Sequence, residues 1–143
     1  MDIKYEQGTL KVIVLDKNVN PIAKKEIKTA GKPHETILDP DIKTIKANGE
    51  DSAYVTVSVV DKNGILCPTA TNQLKFKVEE EGTFKAACNC DATSLELFHL
   101  SNMKLFSGKL VVLVQSTDQP AKIALKVTST GLKFGEIILN SID

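Results

Sequence analysis

Apolar and polar residues alternate with a period of two along most of the chain. From Ala53 to Asp61, Val55, Val57 and Val59 fall on one face and Tyr54, Thr56 and Ser58 on the other. From Gln73 to Glu79, Leu74, Phe76 and Val78 oppose Lys75 and Lys77, and from Ala121 to Thr128, Ala121, Ile123, Leu125 and Val127 oppose Lys122 and Lys126. Each run predicts a half-buried strand with its apolar face inward and its lysines in water. Lys109–Gln115 differs, because Leu110 through Val114 are all apolar. That pattern predicts a central strand covered on both faces. Weaker alternation predicts further strands at Thr36–Leu38, Thr44–Ala47, Thr83–Ala87 and Glu136–Asn140, and a hairpin from Thr9–Leu15 and Ile22–Lys28.

Turn chemistry falls between these runs. Asn48-Gly49, Asp61-Lys62-Asn63-Gly64 and Glu81-Gly82 supply residues that tolerate positive φ, and Pro33, Pro40, Pro68 and Pro120 sit where no ladder hydrogen bond is lost. No segment carries a sustained helical stripe. The fold expected is all-β, an immunoglobulin-like antiparallel β-sandwich with an extra N-terminal hairpin. Such a sandwich takes roughly 100 residues, so residues 32–143 fill it. Residues 1–31 are surplus: a hairpin with Leu10, Val12, Val14, Ile22 and Ile27, and the small-residue linker Thr29-Ala30-Gly31-Lys32-Pro33. A lone hairpin is marginal in water. It is expected to add to a sheet edge, pair with another chain, for instance in a homodimer, or remain mobile.

Charge narrows the partners. Eighteen basic residues, all Lys, balance eighteen acidic ones across 143 residues, and Trp is absent. Without net positive charge or arginine forks, nucleic acid is not an expected partner. No stretch approaches the roughly 18 apolar residues of a membrane span, so membrane insertion is not expected. Three cysteines, Cys67, Cys88 and Cys90, leave at least one thiol free, and Cys88-x-Cys90 is too tight for the usual Cys-x-x-Cys zinc or redox spacing. A strand would place both thiols on one face, with His34 and His99 available to complete a site; small buried hydrophobes are the blander reading. No metal or other cofactor is expected.

Catalytic motifs are missing. There is no nucleophile elbow, phosphate-binding glycine loop or His-x-x-x-His pair. Glu79-Glu80-Glu81 reads as a solvated turn, and Asp39, Asp41, Asp51 and Asp61 as turn residues without a calcium site. Phe98 and Phe106 are expected in the core, which leaves Tyr54 as the exposed aromatic.

One segment stands out: Ala87-Cys88-Asn89-Cys90-Asp91-Ala92-Thr93-Ser94-Leu95-Glu96, followed by Lys104-Leu105-Phe106-Ser107-Gly108-Lys109. It resembles the C-terminal immunoglobulin-like domain of family 2 glycoside hydrolases, the bacterial β-galactosidases, whose loop reads N-G-D-P-T-S-H-E before a K/R-x-F-x-G step. Asn89, Asp91, Thr93, Ser94 and Glu96 match the loop, and Phe106 and Gly108 the step. Ile42-x-Thr44-Ile45-x-Ala47-Asn48-Gly49-x-Asp51, Val55-Thr56-Val57, Asp61-x-Asn63-Gly64, Pro68, Phe76-x-Val78 and Gly82 are similar to the same family. Tyr5-x-x-Gly8-x-Leu10-x-Val12 and Thr29–Pro33 resemble the end of the preceding immunoglobulin-like domain and its linker. Four positions depart from the pattern: Cys88, Cys90, Ala92 and Leu95. Cys90 stands where the family has glycine and does not share its tolerance of positive φ, so a different loop backbone is expected.

The resemblance implies a non-catalytic C-terminal module that packs on other domains of its parent enzyme, a hydrolase of β-galactosides or related glycans. The family's catalytic glutamates lie on a (β/α)₈ barrel domain, and no position here matches them. The loop residues are implied to serve structure or interdomain contact, and the parent to work in the periplasm or outside the cell. Two readings compete. Adhesin repeats of the invasin and intimin type share the Asn48–Gly64 pattern but not the Asn89–Glu96 loop. A weak carbohydrate-binding module would use Tyr54.

Overall fold

A computed structural model of the chain describes residues 6–143; Tyr5 of the N-terminal pattern lies outside them. Among the described residues, eleven strands form three sheets, antiparallel throughout except where β4 pairs with β11. Strands β1 (Thr9–Leu15) and β2 (Pro21–Lys28) pair as a hairpin by themselves. The sandwich follows: β3 (Glu35–Pro40), β4 (Thr44–Lys46), β5 (Ser52–Val60), β6 (Gln73–Glu80), β7 (Gly82–Cys88), β8 (Asn102–Lys104), β9 (Lys109–Ser116), β10 (Lys122–Thr128) and β11 (Gly135–Ile142). One sheet has the order β4-β11-β10-β6-β8 and the other β3-β5-β9-β7, and β4 runs parallel to β11.

The expected inward faces are the core. Val55, Val57 and Val59 of β5 and Leu110, Val112 and Val114 of β9 pack against Leu74 and Phe76 of β6, Ile123, Leu125 and Val127 of β10, and Leu139 of β11. Alternation delivers this result because a β-strand sends successive side chains to opposite faces. Burial of these branched side chains, worth about 1.5–3 kcal/mol each, is the main force that holds the two sheets together.

Two expectations need correction, and one strand is added. Strand β9 is central, between β5 and β7, yet only one of its faces is covered within the chain. Val111 and Leu113 project from the other face, half-buried, with no layer above them. Phe98 and Phe106 are not core: they are 58% and 46% exposed, similar to Tyr54 at 55%. The core is already filled by aliphatic side chains, and both phenylalanines sit in connections. Finally, β8 carried no sequence signal. Three residues are too few to show a period, and β8 exists because Met103 is buried opposite Leu74 of β6.

The hairpin joins neither sandwich sheet. Every residue of β1 and β2 is exposed, including Leu10, Val12, Val14, Ile22 and Ile27. Addition to an edge, one of the expected outcomes, does not occur within the chain. The linker is nonetheless fastened. Asp61, almost fully buried, accepts the Gly31 N–H on Oδ2 at 2.7 Å and the Asn63 and Ile65 N–H groups on Oδ1. These donors, Gly31 first, hold the Asp61 carboxyl below the ordinary carboxylate range.

Candidate functional site: the loop between the two sheets

The segment from Cys88 to Ser101 crosses from β7, an edge of the four-stranded sheet, to β8, an edge of the five-stranded sheet. Sheet edges expose unpaired backbone groups that invite pairing with other chains. This loop covers both edges. The Phe98 carbonyl accepts the Ala87 N–H of β7 at 2.8 Å. On β8, Lys104 is held at both ends of its backbone: its N–H donates to the Glu96 carboxylate at 3.1 Å, and its carbonyl accepts from Asn89 Nδ2 at 3.0 Å.

The remaining family residues brace those two. Asn89 is buried, and its Oδ1 accepts the Asp91 N–H. Asp91 in turn accepts the Thr93 hydroxyl at 2.7 Å and the Thr93 N–H at 2.9 Å, bonds that keep its carboxyl below the usual range. Ser94 meets Glu96 through its hydroxyl, and Gln73 Nε2 donates to Glu96 Oε1. The structure therefore brings Asn89, Asp91, Thr93, Ser94 and Glu96 into one network, all five engaged in hydrogen bonds within the chain. Its chemistry is that of a clamp on an edge strand, with two carboxylates occupied by amide and hydroxyl donors. Gln73 and the Lys104 backbone were invisible to sequence reasoning, since neither residue type signals an edge contact.

Cys90 takes φ +60, so cysteine stands here in the left-handed region that glycine tolerates more readily. The two-ended grip on Lys104 over-determines the loop, and cysteine accepts the left-handed conformation at a cost of about 1–2 kcal/mol.

Phe106 and Gly108 lie apart from the clamp, in the two-residue turn between β8 and β9. Phe106 and Lys109 exchange backbone hydrogen bonds, while Ser107 and Gly108 take φ +51 and +74. Two consecutive positive φ values make a type I′ turn. A side chain at Gly108 would collide with the Cys67 carbonyl, so glycine is required there for space as well as for φ.

Tyr54 is far from both features in register, on the outer face of β5 opposite Leu113. That face also carries Ile37, Ala86 and Cys88, with Thr56, Ser58 and, at the start of β9, Lys109 beside them. The outer face of the other sheet is the converse, with Lys75, Lys77, Lys122, Lys126 and Glu136. A cleft between hairpin and sandwich is lined by Leu10, Ile27, Ile65, Leu66 and Pro68. Among the described residues, no three His, Cys, Asp or Glu side chains group as metal ligands.

Comparison with known proteins places this arrangement. The chain is 41% identical over 131 residues to the β-galactosidase BoGH2A of Bacteroides ovatus, a match that covers 92% of the chain and 15% of the enzyme. The crystal structure of a glycosyl hydrolase family 2 member from Bacteroides cellulosilyticus superimposes with a TM-score of 0.93 at 25% identity, over 99% of this chain and 18% of that one. The D00–D0 domain of intimin shares the fold alone: TM-score 0.59, 16% identity, 96% of this chain and 66% of that one. The chain thus spans less than a fifth of the length of the two glycosidases it matches. The sequence model of the glycoside hydrolase family 2 C-terminal domain 5 matches residues 37–138, from β3 through the clamp to β11, and the chain belongs to that family.

Proposed function

We propose that this chain is a non-catalytic C-terminal module that docks on other domains of a family 2 glycoside hydrolase, and that the parent hydrolyses β-galactosides or related glycans. The observation that carries the reading is the asymmetry of the two outer faces. One sheet turns Lys75, Lys77, Lys122 and Lys126 to water, while the other carries a single register-paired lysine, Lys109 at the start of β9, and turns Tyr54, Val111, Leu113, Ala86 and Ile37 outward with no cover in the chain. Contiguous apolar surface of this kind marks an interaction site. Leu95, Leu97, Phe98 and Leu100 of the clamp loop are exposed as well. The occupant proposed is the rest of the parent, since the matched glycosidases are several times longer than this chain. The uncovered hairpin fits the same reading as the closing strands of the preceding domain. The parent works in the periplasm or outside the cell, and cell fractionation checks that.

The experiment is to assay the chain alone and the whole parent on chromogenic galactosides. The chain alone shows no turnover, and the parent carrying Leu113→Lys loses thermal stability while its chain-alone counterpart melts as wild type. Turnover by the chain alone overturns the reading, as does a parent indifferent to the charge at position 113. Sedimentation of the chain alone tests the competing use of the hairpin, a homodimer. The adhesin reading, which the intimin likeness supports at the level of fold only, requires tandem copies of this module in the flanking sequence where the proposal requires a barrel domain. The carbohydrate-binding reading requires a glycan titration that vanishes in Tyr54→Ala.

A further inference from the structure

Cys88 ends β7 opposite Val111, and Cys90 begins the clamp loop two residues later. Asn89 between them is turned inward and fixed to the Lys104 carbonyl. That anchoring sends its two neighbours to the same side, and the thiols lie with Sγ atoms 4.0 Å apart. Cys90 is exposed and Cys88 half-buried, and both are free. The third cysteine cannot compete: Cys67 is buried, its Sγ faces the Gly31 and Ile65 carbonyls, and burial pushes its thiol up.

We infer that Cys88 and Cys90 form a reversible redox pair, closed to a disulfide by exchange with a low-molecular-weight disulfide. The exposed Cys90 thiolate attacks one sulfur of the oxidant, RS–SR, forming Cys90–S–SR and releasing RS⁻. The Cys88 thiolate then attacks Cys90 Sγ and displaces the second RS⁻. One disulfide is broken and one formed, the oxidant is reduced to two thiols, and the two cysteine protons pass to the departing thiolates. The sulfurs must approach by about 2 Å to reach bonding distance, a movement that the exposed Cys90 side chain can supply by rotation about χ1.

The closed ring spans three residues. Loop-closure entropy removed from the unfolded chain by so short a ring is small, so the bond adds little stability. A disulfide with one sulfur exposed, as at Cys90, belongs to the labile, exchangeable class. The bond therefore changes the clamp loop locally, beside Asn89 and at the rim of the apolar face, and leaves the fold unchanged. The hydrogen bond to the neighbouring Cys88 sulfur keeps the proton on Cys90 and raises the Cys90 thiol above its ordinary value. Because the thiolate is the attacking species, exchange quickens by about tenfold per pH unit from neutrality upward until the thiol is ionised.

The test uses the full chain with oxidised glutathione, followed by alkylation and mass spectrometry of peptides. The wild type loses two hydrogens in the peptide that contains residues 88 and 90, carries no glutathione there, and is restored by dithiothreitol. Cys88→Ser accumulates a glutathione adduct on Cys90, because nothing resolves it, and Cys67 is alkylated only after denaturation. Cys88→Ser keeps the wild-type melting profile, which separates loss of the pair from loss of fold. Stable glutathione on both cysteines of the wild type, or no reaction at Cys90 under alkaline conditions, overturns the inference.

Discussion

The Glu96 carboxylate holds the Lys104 N–H at 3.1 Å, and it does so at the one strand that alternation failed to announce. With Asn89 on the Lys104 carbonyl, the contact completes an edge that would otherwise be open. Asn89→Ala is expected to destabilise the chain by about 1–2 kcal/mol, the usual loss for a partly buried hydrogen bond whose partner is stranded, and Glu96→Ala by about 0.5–1 kcal/mol, because its bond is exposed and water can replace it. Since both side chains grip one residue, the double variant loses less than the sum. Denaturant titration measures both effects, and hydrogen exchange at the Lys104 amide should rise sharply in Glu96→Ala. An unchanged Lys104 amide would contradict the clamp.

Glycine is required at position 108 for two reasons and at position 49 for one. Both take positive φ, but a side chain at Gly108 would strike the Cys67 carbonyl whereas Gly49 faces open space. Gly49→Ala is expected to cost about 1 kcal/mol, the price of the left-handed backbone alone. Gly108→Ala should cost about 3 kcal/mol or more, because strain and a backbone collision add. Equal melting temperatures for the two variants would refute the distinction.

Asp61 makes the linker sensitive to acid. Its carboxyl is held below the ordinary value by Gly31 and by the turn amides of Ile65 and Asn63. A depressed carboxylate contributes stability above its unfolded pKa, about 3.9, and that contribution fades as pH falls through the lower folded value. Amide exchange at Gly31, normalised for the intrinsic pH effect, is therefore expected to accelerate below about pH 4. Asp61→Asn should remove that step and leave Gly31 weakly protected at every pH. A Gly31 amide equally protected in wild type across this range would count against the lock.

Cys90 stores backbone strain at φ +60. Cys90→Gly is expected to raise stability by up to about 1 kcal/mol, since relief of strain outweighs the added freedom of the unfolded chain. Calorimetry at neutral pH checks this, and the same variant removes the proposed thiol exchange.

The sequence by itself determined the two sheets. Alternation in residues 53–61, 73–79 and 121–128 names the inward faces, because a pleated strand must put every second side chain on one side. It also determined which outer face carries most of the lysines, and the turns whose glycines or asparagines permit positive φ. Tertiary structure decided the rest. Asn89 and Glu96 meet on Lys104 only because the loop returns to the opposite sheet, and no local pattern encodes a contact across a sandwich edge. Asp61 reads in the sequence as a turn residue, and only folding brings the Gly31 amide onto its carboxylate. The apolar residues of Lys109–Gln115 read as a strand covered twice, but cover is a property of the assembly. Within this chain Val111 and Leu113 have a neighbour on each side and none above, because the sandwich has two layers and both are already used.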